Sequence, residues 1–253
     1  LADDILEGDD LFKVGNDTLI GGEGYDTLVG AHGNDSLFGG DQDDVMSGGV
    51  GDDTMYGGEG NDQYVTNFYP TNTQGEGNDI AYGGIGNDIL KEWSSETGND
   101  IFYGGADNDT LDGSAGNDML FGGTGDDLVD GGDNFFLGGS EEDDILSGGA
   151  GNDTVIGADG NDVVYFGENN NMWGPEFEGG QDFFYGGEGD IDTIFLALNP
   201  GDPNAWITFN QGGISGVDAS GFLILDPDSD GVITLADGST LTFQDAEKIM
   251  WHN

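Results

Sequence analysis

Residues 48–65 divide into two lines of nine, GGVGDDTMY and GGEGNDQYV. Each line has glycine at places one, two and four, aspartate at place six and an apolar residue at place eight. Few patterns constrain a chain more. In a short strand centred on place eight, the middle side chain points one way and its neighbours the other, so the apolar residue faces inward. Glycines at places one, two and four permit left-handed backbone and turns tight enough for carbonyls to converge. Place five is mostly Asn or Asp (Asn34, Asp52, Asn61, Asn87, Asn117, Asn152), residues expected to tolerate the left-handed region after glycine. Two lines then make one coil: strand, turn, strand, turn.

The place-six aspartates run Asp17, Asp26, Asp35, Asp44, Asp53 and Asp62, then Asp79 and Asp88. Asp100, Asp109, Asp118 and Asp127 follow, then Asp144, Asp153 and Asp162, with Asp182 standing apart. In GGEGDIDTIF (186–195) the spacing slips, and Asp190 and Asp192 compete for the role. Place eight reads Leu19, Leu28, Leu37, Met46, Met55 and Tyr64, then Ala81, Leu90, Phe102, Leu111, Leu120 and Val129. It ends with Leu146, Val155, Val164 and Phe184, so that only Ala81 is small. Some lines depart from the pattern. His32 takes place three, Gln42 and Asp107 replace the fourth glycine, and Ser114 and Ala158 the second, so these turns are expected to hold an ion weakly or not at all.

Interruptions are expected at 63–74, 92–97, 131–138 and 166–180. They carry Phe68, Tyr69, Trp93, Phe135, Phe136, Met172, Trp173 and Phe177. Two readings stand for these loop residues: folded back as plugs in the roll, or protruding as a patch for a cell-surface partner, a glycan or self-assembly.

There are 52 acidic residues against 3 Lys and Arg, a formal charge of −49. Such a chain has no electrostatic reason to approach nucleic acid or an anionic membrane. Regularly spaced apolar residues and 11% aromatics favour a cation-loaded fold over a disordered acidic tract. One inward side chain per nine residues does little against the entropy of ordering nine backbones, several of them glycine. Bound cations have to supply the rest. With no cysteine, disulfides and thiolate metal sites are excluded. No apolar run approaches the ~18 residues of a membrane span. The chain opens in mid-pattern, residues 2–8 resembling the back half of a repeat, and is expected to be a processed product or a piece of something larger.

The pattern G-G-x-G-x-D-x-U-x is a known signature of calcium-binding parallel β-helices. With so many copies, residues 12–190 resemble the RTX (repeats-in-toxin) β-roll proteins, which bacteria export by type I secretion. The resemblance implies an all-β chain: a parallel β-roll, that is, a two-stranded right-handed solenoid with interrupting loops, over 1–195. It implies several calcium ions between turns of neighbouring coils, held by the place-six aspartates and by turn carbonyls. Gly22, Gly24, Gly40, Gly49, Gly51, Gly58 and Gly60 would supply such carbonyls, as would Gly84, Gly86, Gly123, Gly125, Gly149 and Gly151. Ladder partners would lie two lines apart, as Asp26 with Asp44 and Asp35 with Asp53.

Beyond the repeats, 196–253 resembles the C-terminal β cap that follows such arrays, with Ser239–Ile249 as its last hairpin. An uncovered final coil would be an exposed sheet edge. Short antiparallel strands are expected at 193–198, 206–209, 222–225, 232–235, 241–243 and 248–251. Within the cap, Asp226, Asp228, Asp230, Gly231 and Asp237 match an EF-hand loop at positions 1, 3, 5, 6 and 12, but between strands and with Asp for the final Glu. A calcium site and a plain acidic turn are both open readings there.

No H-E-x-x-H, G-x-S-x-G or phosphate-binding loop is present, so no catalytic constellation is expected. N-x-[ST] matches such as Asn16–Thr18 arise from the turn pattern itself. The expected function is a secreted, non-enzymatic calcium-binding roll that meets the type I secretion machinery and folds on extracellular calcium. The alternatives are a cell-surface, matrix or adhesion protein, and an accessory module of a carbohydrate-active enzyme.

Overall fold

The computed structural model describes residues 4–8, 15–65, 77–91, 98–132, 143–166, 181–188, 192–196, 207–218, 222–235 and 240–251. The nine-residue period translates into two parallel ladders. One contains β1 (Ile5–Glu7), β3 (Thr27–His32), β5 (Val45–Val50), β7 (Gln63–Val65), β9 (Ile89–Lys91), β11 (Thr110–Asp112), β13 (Leu128–Asp130), β15 (Thr154–Asp159) and β17 (Gln181–Glu188). The other contains β2 (Thr18–Glu23), β4 (Ser36–Asp41), β6 (Thr54–Glu59), β8 (Ile80–Ile85), β10 (Ile101–Ala106), β12 (Met119–Thr124), β14 (Ile145–Ala150), β16 (Val163–Phe166) and β18 (Thr193–Leu196). Each strand pairs in parallel with the strand two before it, as Leu28 with Met46 and Leu37 with Met55. The fold is the expected all-β roll.

Place eight fills the space between the ladders. Every residue assigned to it is buried, none more than 6% exposed. Ala81, the one small member, lies between Met55 and Phe102 in its ladder. Tyr64 compensates: its ring meets Phe102 edge-on at 5.5 Å and 77°. Its hydroxyl donates to Asp79 Oδ2 at 2.7 Å.

Insertions do not break the register. Hydrogen-bonded ladder partners are usually 18 residues apart, but 26 across the first insertion, and the same groups still pair. Some expected interruptions begin later than the sequence suggests. Gln63–Val65 is β7, Phe166 closes β16 and is buried, and Gly131 N–H donates to Ile156 C=O. The aromatic loop residues Phe68, Tyr69, Trp93, Phe135, Phe136, Trp173 and Phe177, with Met172, lie outside the described residues.

The C-terminal region corrects the expectation of six short antiparallel strands. Thr193–Leu196 belongs to the roll: it runs parallel to β16, with Ile194 beside Val164. The expected strands at 241–243 and 248–251 are one strand, β22 (Thr240–Trp251). Its first half continues the ladder of β17 and its second half that of β18, both in parallel. Phe243 and Ile249 thus act as place-eight residues, six apart instead of nine, and both are fully buried. β19 (Ile207–Gln211) and β20 (Ile214–Val217) pair antiparallel with β21 (Leu223–Thr234), and β21 pairs antiparallel with β22. A single strand is therefore the last coil of the roll and the first layer of the cap.

Truncating a large core residue should leave a void that rigid stacked coils cannot close. Phe102→Ala is expected to cost about 3–5 kcal/mol, read by urea unfolding at saturating calcium.

Candidate metal centre

The two turns of each coil bring the place-six aspartates into two columns. One runs Asp26, Asp44, Asp62, Asp88, Asp109, Asp127, Asp153, Asp182. The other runs Asp17, Asp35, Asp53, Asp79, Asp100, Asp118, Asp144, Asp162, Asp192. Asp17 is half-buried and the rest are buried, at most 8% exposed. Where the spacing slips, Asp192 takes the column position: Asp162 N–H donates to its Oδ1 at 3.0 Å. Asp190 lies outside the described residues.

Asp44 shows what each aspartate does. Its N–H donates to Asp62 Oδ1 at 2.8 Å. Its Oδ1 accepts the Asp26 N–H at 2.8 Å, and its C=O accepts the Gln63 N–H at 2.9 Å. Only Oδ2 remains, buried and without a hydrogen-bond donor, as it also does in Asp17, Asp26, Asp53, Asp62, Asp88, Asp109, Asp127 and Asp153. A buried carboxylate oxygen left this way is costly unless something positive reaches it.

The orphan oxygens explain the first glycine. Places two and four carry positive φ, as Gly40 at 124° and Gly51 at 129°, but place one does not. Place one needs glycine for space. A Cβ on Gly39 would strike Asp44 Oδ2 and lie 2.8 Å from Gly57 C=O, and one on Gly57 would strike Asp62 Oδ2 and Gly83 C=O. The expectation of forbidden backbone at all three glycines is corrected: place one keeps open a space walled by a carboxylate oxygen and a carbonyl oxygen. The carbonyls there belong to place-one glycines of the next coil. Those of the expected Gly22, Gly40, Gly58 and Gly84 face the place-two glycine of the next coil, and those of Gly51, Gly60 and Gly125 its place-four glycine.

Place five is corrected too. Among the described residues none of its Asn or Asp residues has positive φ. These side chains form an outer, exposed ladder instead, as where Asn99 N–H donates to Asn78 Oδ1 at 2.8 Å and Asn117 N–H to Asn99 Oδ1 at 2.9 Å. Lines with replaced glycines keep the same path. Ala31, Gln42, Asp107, Ser114 and Ala158 hold φ between 69° and 84°, at a cost of about 1–2 kcal/mol each.

Two further carboxylates join the columns. Asp4, at place six of the half repeat 2–8, donates its N–H to Asp26 Oδ1 at 2.7 Å. Glu247 ends the second: its Oε2 accepts the Asp192 N–H at 2.8 Å, the place an aspartate holds elsewhere. A Cβ on Gly186 would meet Asp192 Oδ2 and Asp245 C=O, so that carbonyl stands where the next glycine would be. No repeat spacing marks Glu247, because the final turn is shorter.

Asp226 and Asp230 lie within β21, where the pairing with β22 shifts register. The corner is held by Ser229, fully buried, whose hydroxyl donates to Asp226 C=O at 2.6 Å. It is a bend within one strand, not a hairpin turn. The Asp228 side chain and Asp237 lie outside the described residues.

Burial moves ten of the column carboxyls upward, partly offset by the N–H each accepts. Asp53 and Asp109 rise to about 8, Asp88, Asp127, Asp182 and Asp192 to about 7, and Asp44, Asp62 and Asp153 to about 6. Asp79 is also raised by burial. On the exposed outer ladder the sign reverses: the main-chain and side-chain N–H groups of Asn152 hold Asp126 below its usual value.

Among the described residues no three Asp, Glu, His or Cys side chains converge on one point. The donor set is one carboxylate oxygen with a main-chain carbonyl, repeated beside Gly30, Gly39, Gly57, Gly83, Gly104 and Gly122. All are hard oxygens, which suits calcium and not zinc. The residues fit the ion.

Two outcomes follow. Gly57→Ala fills the space beside Asp62 Oδ2 without a forbidden φ, and should raise the calcium midpoint of folding several-fold, read by circular dichroism. For the metal-free chain, folded carboxyl values above the unfolded value of about 4 mean that the folded state binds the extra protons. That stabilisation is complete below about pH 4 and lost as pH rises through 6 to 8. In chelator, β-structure should therefore be greatest at acid pH and disappear by about pH 8, followed by far-UV circular dichroism.

The RTX calcium-binding nonapeptide repeat, described as a family in four copies, matches residues 14–46, 33–64, 75–91, 95–129, 115–143 and 138–172. No curated protein matches the chain. With more than half its residues matched, the chain belongs to the family of RTX calcium-binding nonapeptide-repeat proteins.

Proposed function

We propose that this chain is a non-catalytic calcium-binding roll that works outside the cell, leaving it unfolded by type I secretion and folding on extracellular calcium. One observation carries the reading: in Asp26, Asp44, Asp62, Asp88, Asp109, Asp127 and Asp153, one above another in a single column, a buried carboxylate oxygen has no donor to meet it. Calcium, when bound, supplies the positive charge and accepts oxygen ligands in flexible geometry. The chain's own part is orientation. From Asp26 and Asp35 onward each Oδ1 accepts a main-chain N–H, so the other oxygen is aimed before any ion arrives. Without metal the two columns hold stacked carboxylates that repel one another and the fold is opposed; with metal, folding and binding are one event.

The ligands in this reading are Oδ2 of both columns with turn carbonyls, closed at the C-terminal end by Glu247. In this reading the loaded roll runs through β18 and the cap follows it, with β22 shared between them. A calcium-poor cytoplasm would keep the chain extended for export, and millimolar calcium outside would fold it. A place at the cell surface or in a matrix is the second reading, favoured by an uncharged outer face described below.

The test is calcium titration of the metal-stripped chain by circular dichroism, with magnesium as control. A steep coil-to-β transition near 1 mM calcium, absent with magnesium, is expected. A chain already β-rich in chelator at pH 8 would overturn the reading.

A further inference from the structure

The outer face of the even-numbered ladder carries places seven and nine of each line. From β2 to β18 none of these positions is charged, in a chain with 52 acidic residues. The odd-numbered face differs, with Glu7, Lys91, Asp112 and Asp130 at place nine.

Phe38, Tyr56, Tyr82, Tyr103 and Phe121 form a continuous stack along the centre of the uncharged face. Successive centroids are 4.9 to 5.1 Å apart, and ring planes lie within 13° of parallel. Phe38, Tyr56 and Tyr82 are 37%, 39% and 36% exposed. Place seven adds Ile80, Ile101 and Met119 beside them. Rings stacked on one another hide their faces and turn their edges outward. A sugar stacks on an open ring face, so the ridge is poorly made for glycans. An apolar surface with a matching period suits it better.

We propose that this face is where two calcium-loaded copies of the chain pack against each other about a two-fold axis. Two arguments select a second copy. First, period: the ridge repeats at the strand spacing, and a second roll presents ridges and grooves at that same spacing, so side chains interdigitate along the whole length. Second, charge: a chain with 52 acidic residues against 3 basic ones repels its copy through its acidic surfaces, whereas places seven and nine of this face bring no carboxylate against another, and Glu23, Asp41 and Glu59 stand only at the far ends of β2, β4 and β6. Nine strands about 4.8 Å apart, three residues wide with their side chains, make a strip roughly 40 Å by 10–15 Å, about 400–600 Å² per copy and about 800–1,200 Å² for the pair. That is the size of a small, weak interface, so the dimer is expected to form only at micromolar concentrations and above. The proposal goes beyond calcium binding and presumes only a folded roll, which circular dichroism verifies separately in each sample.

The experiment is sedimentation velocity of the full chain in saturating calcium from about 1 to 100 µM. The expected result is a rise from the single-chain mass of 26.4 kDa to twice that value. A Tyr56→Asp, Tyr82→Asp variant with an unchanged circular dichroism spectrum should stay at the single-chain mass. Because the chain has no cysteine, Tyr82→Cys offers an independent reading. It should cross-link to its copy on mild oxidation, while Thr110→Cys on the opposite face should not. Single-chain mass throughout, dimers that survive the Tyr→Asp changes, or equal cross-linking of the Thr110→Cys variant would each overturn the proposal. So would a monomer whose tyrosine fluorescence shifts on adding a soluble polysaccharide, which would give the face to a carbohydrate.

Discussion

The structure rests on a hydrogen bond from the main-chain N–H of one place-six aspartate to the Oδ1 of the next. Repeated up both columns, as from Asp26 to Asp44 to Asp62, it locks each carboxylate to the neighbouring coil and leaves Oδ2 of those three aspartates buried without a donor. The other features answer to that oxygen. Place one is glycine because any side chain would collide with it. Carboxyls such as those of Asp53 and Asp109 rise above their ordinary range because burial comes without a counter-charge.

This arrangement tolerates considerable local change. Ala31, Gln42, Asp107, Ser114 and Ala158 are driven into the left-handed region that glycine would occupy without strain, because coils above and below fix the turn. Across the insertions the same pairs form, as Asp53 with Asp79 and Asp79 with Asp100. The ladder is closed chemically as well as sterically, by Glu247 in place of an aspartate and Asp245 C=O in place of a glycine carbonyl. β22 thus removes the open edge that an array of parallel strands would otherwise present.

Much of this was legible from residue order. The inward place-eight residues and the partnership of Asp26 with Asp44 follow from strict alternation in a strand and a coil of two lines. Place five was readable as Asn or Asp, but its role was not. Those residues lie outside the left-handed region, and their side chains act between coils, a relation invisible within one line. The exposed stack from Phe38 to Phe121 has the same origin, since its members lie 18 to 26 residues apart and meet only in register.

The repeat by itself determined the fold class, the inward face and the pairing of aspartates, because a periodic chain leaves few ways to bury one apolar group per nine residues. Tertiary structure alone decided which oxygen of each aspartate is left over, why the first glycine is needed, and how the array ends. Those depend on distances between coils. At the cap, where Phe243 and Ile249 are only six residues apart, the period is lost, and only pairing with β17 and β18 makes that segment the last coil.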